Sequence, residues 1–492
     1  MIKFLGLIAI EREYSSSILQ NLTHKLQGMS NITNEARHEE SMLVSVFSNG
    51  HFDHSNEDSI RILWGIYRSE QCDDVISPSS GSDFGIQIIK NHPEILLLDY
   101  HHSRFQMVRG HYSMIPCYYM LEGNQLFFSS EKKALWKISD KKIESLQPGE
   151  RIHLTKEKGF QKERAVQRKK PALVKSRSYD ETISLLGKLL KKSFRTIHPK
   201  QRVGVMLSGG VDSSLAAFIT KEHGEDVIAI STSAENARDL DASKSAANVL
   251  EIDQEIVHFD LKRIWNILPR VIHAIETSNR LDVEIAIPFY LVAERAAELE
   301  IPLLISGQGP DELFAGYAKH ERFVSEGYLM DLPEQLWQEV SITHEANIER
   351  DQKVIGYYDV GSFFPFLYPP FVEESLKVPP EWKVDLKRVP PRKIIFRDLA
   401  RVMGLPDQLA SRPKKATQFS SGSHKLLLKV IKKNIRDKSI TNREVQQNMQ
   451  LFLDHIAERV GIRTSINESD VGGVEWIPSM IDQLDLATRD NW

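Results

Sequence analysis

The run Val203-Gly204-Val205-Met206-Leu207-Ser208-Gly209-Gly210-Val211-Asp212-Ser213-Ser214-Leu215 sets the architecture of this chain. Its β-branched and apolar start predicts a strand, and Asp-Ser-Ser-Leu-Ala-Ala-Phe-Ile after the glycines has helical spacing, so the order is strand, tight loop, helix N-terminus. Two adjacent glycines let backbone N–H groups converge, and Ser208, Ser213 and Ser214 add hydroxyls beside the positive end of a helix dipole. That is the make-up of a phosphate site. Asp212 does not suit phosphate alone, because a carboxylate repels phosphate oxygens unless a divalent cation lies between them; it reads as a magnesium ligand. A bare Ser-Gly-Gly turn is equally well explained as a strand-to-helix connection capped by Ser or Asp. The Gly-Lys-Ser/Thr ending of a Walker A loop is missing.

At 492 residues and 41% hydrophobic the chain is too long for one ordinary core, so two domains with extensions are expected. Acidic and basic residues nearly balance, 67 against 63, and no overall field points to nucleic acid or a membrane. Cys72 and Cys117 are too few for a disulfide framework and lack metal-ligand spacing. The apolar run 4–10 is too short to span a bilayer and has no small-residue cleavage site, which gives a cytoplasmic expectation.

Up to about residue 160, short apolar segments alternate with polar turns. Strands are expected at 4–10, 41–47, 84–89, 95–100, 105–108, 117–121 and 125–128, and helices at 15–26 and 59–67. Residues 161–178 are basic and read as a solvated linker; 179–425 form a second domain; 426–492 form a helical extension with an acidic, mobile end. In the second domain strands near 203–207, 227–232, 255–259 and 301–306 alternate with helices, a pattern that implies parallel pairing and ligands at the carboxyl ends of the strands. Thr232, Ser306 and Gly307 then share a rim with Ser208. Within Leu304-Ile305-Ser306-Gly307-Gln308-Gly309-Pro310-Asp311-Glu312-Leu313-Phe314-Ala315-Gly316-Tyr317, Asp311 becomes a second carboxylate able to grip the same cation as Asp212. Two basic runs follow, Arg392-Lys393 and Arg412-Pro413-Lys414-Lys415.

Ser208–Ser213 resembles the PP-loop of the ATP pyrophosphatases. The 304–317 segment resembles a motif shared by asparagine synthetases, β-lactam synthetases and lasso-peptide cyclases, and Arg350-Asp351-Gln352-Lys353 with Pro365-Phe366-Leu367 stands where those enzymes carry related runs. Arg109-Gly110-His111-Tyr112 and Phe127-Phe128-Ser129-Ser130-Glu131 resemble a class II glutamine amidotransferase domain. The whole is similar to the asparagine synthetase family, most of all its archaeal-type branch.

The resemblance implies an α/β two-domain protein: an N-terminal αββα glutaminase-like sandwich and a doubly wound parallel sheet of the PP-loop type. It implies ATP on Leu207, Ser208, Gly209, Gly210, Asp212, Ser213, Thr232, Ser306 and Gly307, with Mg2+ on Asp212 and Asp311. Lys414 reaches the phosphates, with Lys393 and Arg350 as further catalytic candidates. The amidotransferases expose a cysteine by removal of Met1; here Ile2 follows, so the domain is expected to lack glutaminase chemistry, with Arg109 and Glu131 structural. Departures cluster in the acceptor region: Gln308 replaces a glutamate, 359–363 differ, Tyr368 replaces an aspartate and Glu284 replaces an arginine. The expected activity is an AMP-forming ligase joining a carboxylate, aspartate first, to ammonia; a homodimer is the candidate assembly, and the sequence does not fix the oligomeric state. The alternatives are an intramolecular amide-forming synthetase and an inactive ATP-binding scaffold.

Overall fold

The computed structural model describes residues 4–9, 33–39, 42–48, 53–56, 59–64, 84–101, 104–123, 125–174, 176–196, 202–224, 226–234, 240–413, 423–437, 439–464, 474 and 476–487. The chain divides at Lys169 and Lys170 into two compact units.

The first unit holds two six-stranded antiparallel sheets. One runs Glu144–Ser145, Tyr118–Glu122, Gln125–Ser129, Phe4–Ala9, Met42–Ser48, Thr33–Glu39; the other runs Gly159–Arg164, Glu150–Thr155, Arg104–Arg109, Leu96–His101, Ser59–Trp64, Asp53–Asn56. The strand period of two sorts each side chain to a face. Leu96, Leu98 and Tyr100 face a core shared with Phe4, Ile8 and Phe128 of the other sheet, whereas Leu97 faces outward. Phe4 stacks on Trp64 with centroids 4.4 Å apart. The outer face is covered by helix Phe84–Asn91, which sets Phe84, Ile88 and Ile89 against Leu63, Leu97 and Val108. The short helix Lys132–Trp136 packs on the strands Tyr118–Glu122 and Gln125–Ser129.

Three expectations are corrected here. Residues 84–89, expected as a strand, are helical: the isoleucine-rich run resembles a strand, but Phe84 and Ile88 are four apart and share one helix face. Residues 59–64, expected as helix, form a strand, with Ile62 and Trp64 inward and Leu63 outward. The start of the basic segment expected as linker, 161–164, belongs to an edge strand, Gly159–Arg164, whose charges lie outward and pair across to Glu150–Thr155; Lys162 Nζ is 3.1 Å from Glu150. The helix expected at 15–26, and Cys72, lie outside the described residues.

The second unit opens with helix α1 (Tyr179–Phe194), whose capping box joins Ser178 and Glu181. Strands β1 (Arg202–Met206), β2 (Asp226–Ala234), β3 (Asp253–Phe259), β4 (Leu303–Ile305) and β5 (Gly361–Phe363) follow, all parallel, in the order β3-β2-β1-β4-β5. The helices joining them include α2 (Val211–Glu222), α3 (Leu240–Leu250), α4 (Leu261–Ile275) and α5 (Arg280–Glu298). Strand order reverses between β1 and β4, the place where doubly wound sheets leave a crevice at the carboxyl ends.

Helices Ser423–Asn434, Asn442–Arg459 and Trp476–Ile481 complete the unit. The acidic end is not wholly unpacked: Trp476, Ile477, Met480 and Ile481 are buried, and the Trp476 ring lies 6.0 Å from that of Phe452. Among the described residues no helix is long and apolar enough to cross a membrane.

Candidate functional site

The crevice is built by two strand ends. Past β1, Leu207 N donates to Ile230 O at 3.1 Å, and the chain turns through Gly209 at φ +75. A Cβ on Gly209 would stand 2.4 Å from Ala242 O, so both the backbone angle and the close approach to α3 demand glycine. Ser213 Oγ accepts from Ser208 N at 3.2 Å and lies 3.1 Å from Ser208 Oγ, which ties the loop to the first turn of α2. No side chain caps that helix at Gly210. Its first N–H groups are therefore oriented for an outside acceptor.

Past β4, Ser306 and Gly307 lead into the short helix α6 (Pro310–Leu313), which carries Asp311 and Glu312 in its first turn. Both strand ends open on one cavity of about 280 Å³. Leu207, Ser208, Gly209, Gly210, Asp212, Ser213, Thr232, Ser306 and Gly307 all line it, as does Asp311. Every residue named from the sequence for the nucleotide and the metal thus meets in one place. One wall is apolar, with Met206, Ile230, Pro288, Phe289 and Val292.

Lys393 precedes helix Ile394–Val402 at φ +57 and is fully buried. Its Nζ donates to Asp212 Oδ1 at 2.7 Å and Oδ2 at 2.6 Å, and lies 2.7 Å from Asp311 Oδ1. One ammonium therefore holds the two carboxylates together, and one negative charge of the trio remains. Gly316 makes room: a Cβ there would lie 2.2 Å from Lys393 Cε.

Arg350, in helix Glu349–Gly356, does not line the cavity. It is buried, with Nε 2.9 Å from Asp351 Oδ1 and Nη1 3.1 Å from Asp282 Oδ1. Burial disfavours its charge, but Asp351 and Asp282 outweigh that and raise its pKa. Asp351 is pushed above the usual carboxylate range by burial, against the pull of Arg350. Gln308 lines the cavity and donates from Nε2 to Asp351 Oδ2 at 2.8 Å, so Arg350 is linked to the cavity through Asp351 and Gln308. Glu284 is buried and paired with Arg280 at 2.9 Å. Lys414 lies outside the described residues.

Sequence reasoning missed Arg412, which lines the cavity and donates from Nη1 to Gly209 O and Ala242 O. It also missed Ser231, whose Oγ donates to Leu207 O at 2.6 Å and accepts from Gln254. Both stand inside stretches already quoted or adjacent to them, but nothing local separates Arg412 from the other cations of its basic run. In the first unit, Arg109 Nη1 donates to Leu146 O at 2.7 Å and Glu131 pairs with Lys133 at 2.8 Å, contacts suited to a structural role. Cys117 is buried, and burial pushes its thiol up to about 12, far from a reactive thiolate.

A family model described as asparagine synthase matches residues 185–354, which carry β1 to β4 and both carboxylates but not Lys393 or Arg412. A Methanocaldococcus jannaschii protein named for asparagine synthetase (glutamine-hydrolyzing) is 30% identical over 67% of this chain and 68% of its own. The chain belongs to the asparagine synthetase family. An asparagine synthetase (glutamine-hydrolyzing) of Sandersonia aurantiaca is 28% identical over 44% of this chain, which spans 43% of that relative's length. Among solved structures, an NMN synthetase from Francisella tularensis aligns with 63% of this chain and 94% of its own at 12% identity and TM-score 0.27, too slight a likeness to argue from. Membership in the asparagine synthetase family supports an ATP-dependent, amide-forming ligase.

Proposed function

We propose that the chain adenylates a substrate carboxylate with ATP, releases pyrophosphate and passes the acyl group to an amine, with the aspartate side chain and ammonia as the substrates. The observation that carries this is the meeting, on one cavity, of the Ser208–Ser213 loop and the two carboxylates held by Lys393.

The phosphates rest on the loop N–H groups and the Ser208 and Ser213 hydroxyls, and the adenine lies against the apolar wall near Thr232 and Gly307. Asp212 and Asp311 fit magnesium, which takes one or two carboxylates and completes its shell with phosphate oxygens and water. When bound, magnesium supplies charge neutralisation on the leaving pyrophosphate. Lys393 keeps the two carboxylates from springing apart, and Lys414 is the ammonium assigned to the phosphates. The attacking carboxylate oxygen forms a bond to the α-phosphorus as the bond to the bridging oxygen breaks; the amine then displaces AMP, and its surplus proton leaves to solvent.

Mixing the full chain with ATP, Mg2+, aspartate and ammonia should yield pyrophosphate, AMP and asparagine in equal amounts. ADP with inorganic phosphate as the products would overturn the proposal. Glu284, buried and paired with the half-buried Arg280, favours a second reading in which the acceptor differs from aspartate and carries its own amine. Pyrophosphate release that needs neither aspartate nor ammonia but another carboxylate would select it.

A further inference from the structure

Arg412 is half-buried at the edge of the cavity. Nη1 spends its two N–H groups on two backbone carbonyls, Gly209 O at 3.3 Å and Ala242 O at 2.8 Å. Those carbonyls belong to the loop after β1 and to the first turn of α3, which approach each other so closely that a Cβ on Gly209 would strike Ala242 O. One nitrogen therefore staples the two segments. A guanidinium has five donors in a rigid plane, so Nε and Nη2 keep three more in a direction fixed by the staple. Among the described residues no carboxylate pairs with Arg412. This differs from Lys393, whose charge is consumed by Asp212 and Asp311.

We propose that Arg412 is a nucleotide-positioning residue: one edge of its guanidinium clamps Gly209 against Ala242, and the other gives a charge-assisted contact to the phosphates of a nucleoside triphosphate. This rests on the reading of the cavity as an ATP site and adds to it a cation that neither the loop motif nor the paired lysine supplies. The clamp fixes the loop carbonyls away from the phosphates, so the N–H groups face the anion. The free edge then neutralises charge that Lys393 cannot reach. Lysine at this position would keep the charge but could not bridge two carbonyls and still present a fixed planar edge.

Calorimetric titration of the full chain with ATP, and separately with adenosine, tests this in the parent, Arg412→Ala and Arg412→Lys. Arg412→Ala should weaken ATP binding about ten- to a hundredfold, the range for losing charge-assisted contacts, while adenosine affinity stays within about twofold. Arg412→Lys should fall between parent and Arg412→Ala for ATP. Unchanged ATP affinity in Arg412→Ala overturns the inference but leaves the ATP site standing. Equal weakening of ATP and adenosine also overturns it, because that is the mark of a merely structural arginine. A parent chain that binds neither ligand would overturn the ATP site itself.

Discussion

Lys393 and Asp212 are 181 positions apart in the chain, yet Lys393 Nζ lies 2.7 and 2.6 Å from the two Asp212 oxygens. The same ammonium reaches Asp311 at 2.7 Å, so the two carboxylates assigned to the cation are brought together by a third residue, which stands just ahead of helix Ile394–Val402. Removing one member of such a buried group leaves the others uncompensated.

Lys393→Met should therefore cost about 3–5 kcal/mol of stability, measured by denaturant unfolding, because Asp212 and Asp311 would then face each other without a cation. In the double variant Lys393→Met with Asp212→Asn a large part of that loss should return. Additive losses in the double variant would show that the carboxylates are not coupled through the lysine.

Gly316→Ala should disturb the trio without touching its charges. The new Cβ would fall 1.9 Å from Asp311 Oδ1 and 2.2 Å from Lys393 Cε. We expect about 1–3 kcal/mol of destabilisation, the usual cost of overpacking, and a loss of pyrophosphate release beyond what unfolding accounts for. Full activity in a folded Gly316→Ala chain would contradict the placement of Lys393.

Lys383 is fully buried, and burial pushes its pKa from 10.5 down to about 7. Between those values the unfolded chain binds a proton that the folded chain does not, so this residue makes stability rise as pH climbs from 7 toward 10.5. Lys383→Met removes the group and should be more stable than the parent at pH 7 by a few kcal/mol, since each tenfold loss of proton affinity on folding costs about 1.4 kcal/mol. The gap should close by about pH 10. Denaturation curves of the two proteins that stay parallel from about pH 6 to about pH 10 would refute this.

Gln308→Glu installs the residue that many asparagine synthetases carry at this position, but sets a carboxylate where an amide now lies 2.8 Å from Asp351 Oδ2. Two acids at that distance cannot both ionise cheaply, so one keeps its proton to higher pH. The folded state then binds the extra proton, and stability falls as pH rises. Thermal unfolding should show Gln308→Glu less stable than the parent at about pH 8, by about 1–3 kcal/mol, with the difference shrinking at about pH 5.5. An equal deficit at both pH values would point to packing rather than charge.

The sequence by itself determined the parallel sheet, the two glycine turns at its carboxyl edge and the residue types that line the cavity. Those features are local: a strand, a turn that only glycine makes easily, and a helix start are written within about a dozen neighbouring residues. It misjudged 84–89 and 59–64, because short apolar runs carry no length to separate the helical period from the strand period, and only packing against Leu97 on one face or Phe4 on the other settled them. Tertiary structure alone decided that Lys393 sits between Asp212 and Asp311, that Arg350 stands behind Asp351 and Gln308, and that Arg412 clamps the loop. Each depends on chain segments far apart in sequence closing to within hydrogen-bond distance, and a basic run read in isolation holds no information about which of its cations will be buried and which will face the cavity.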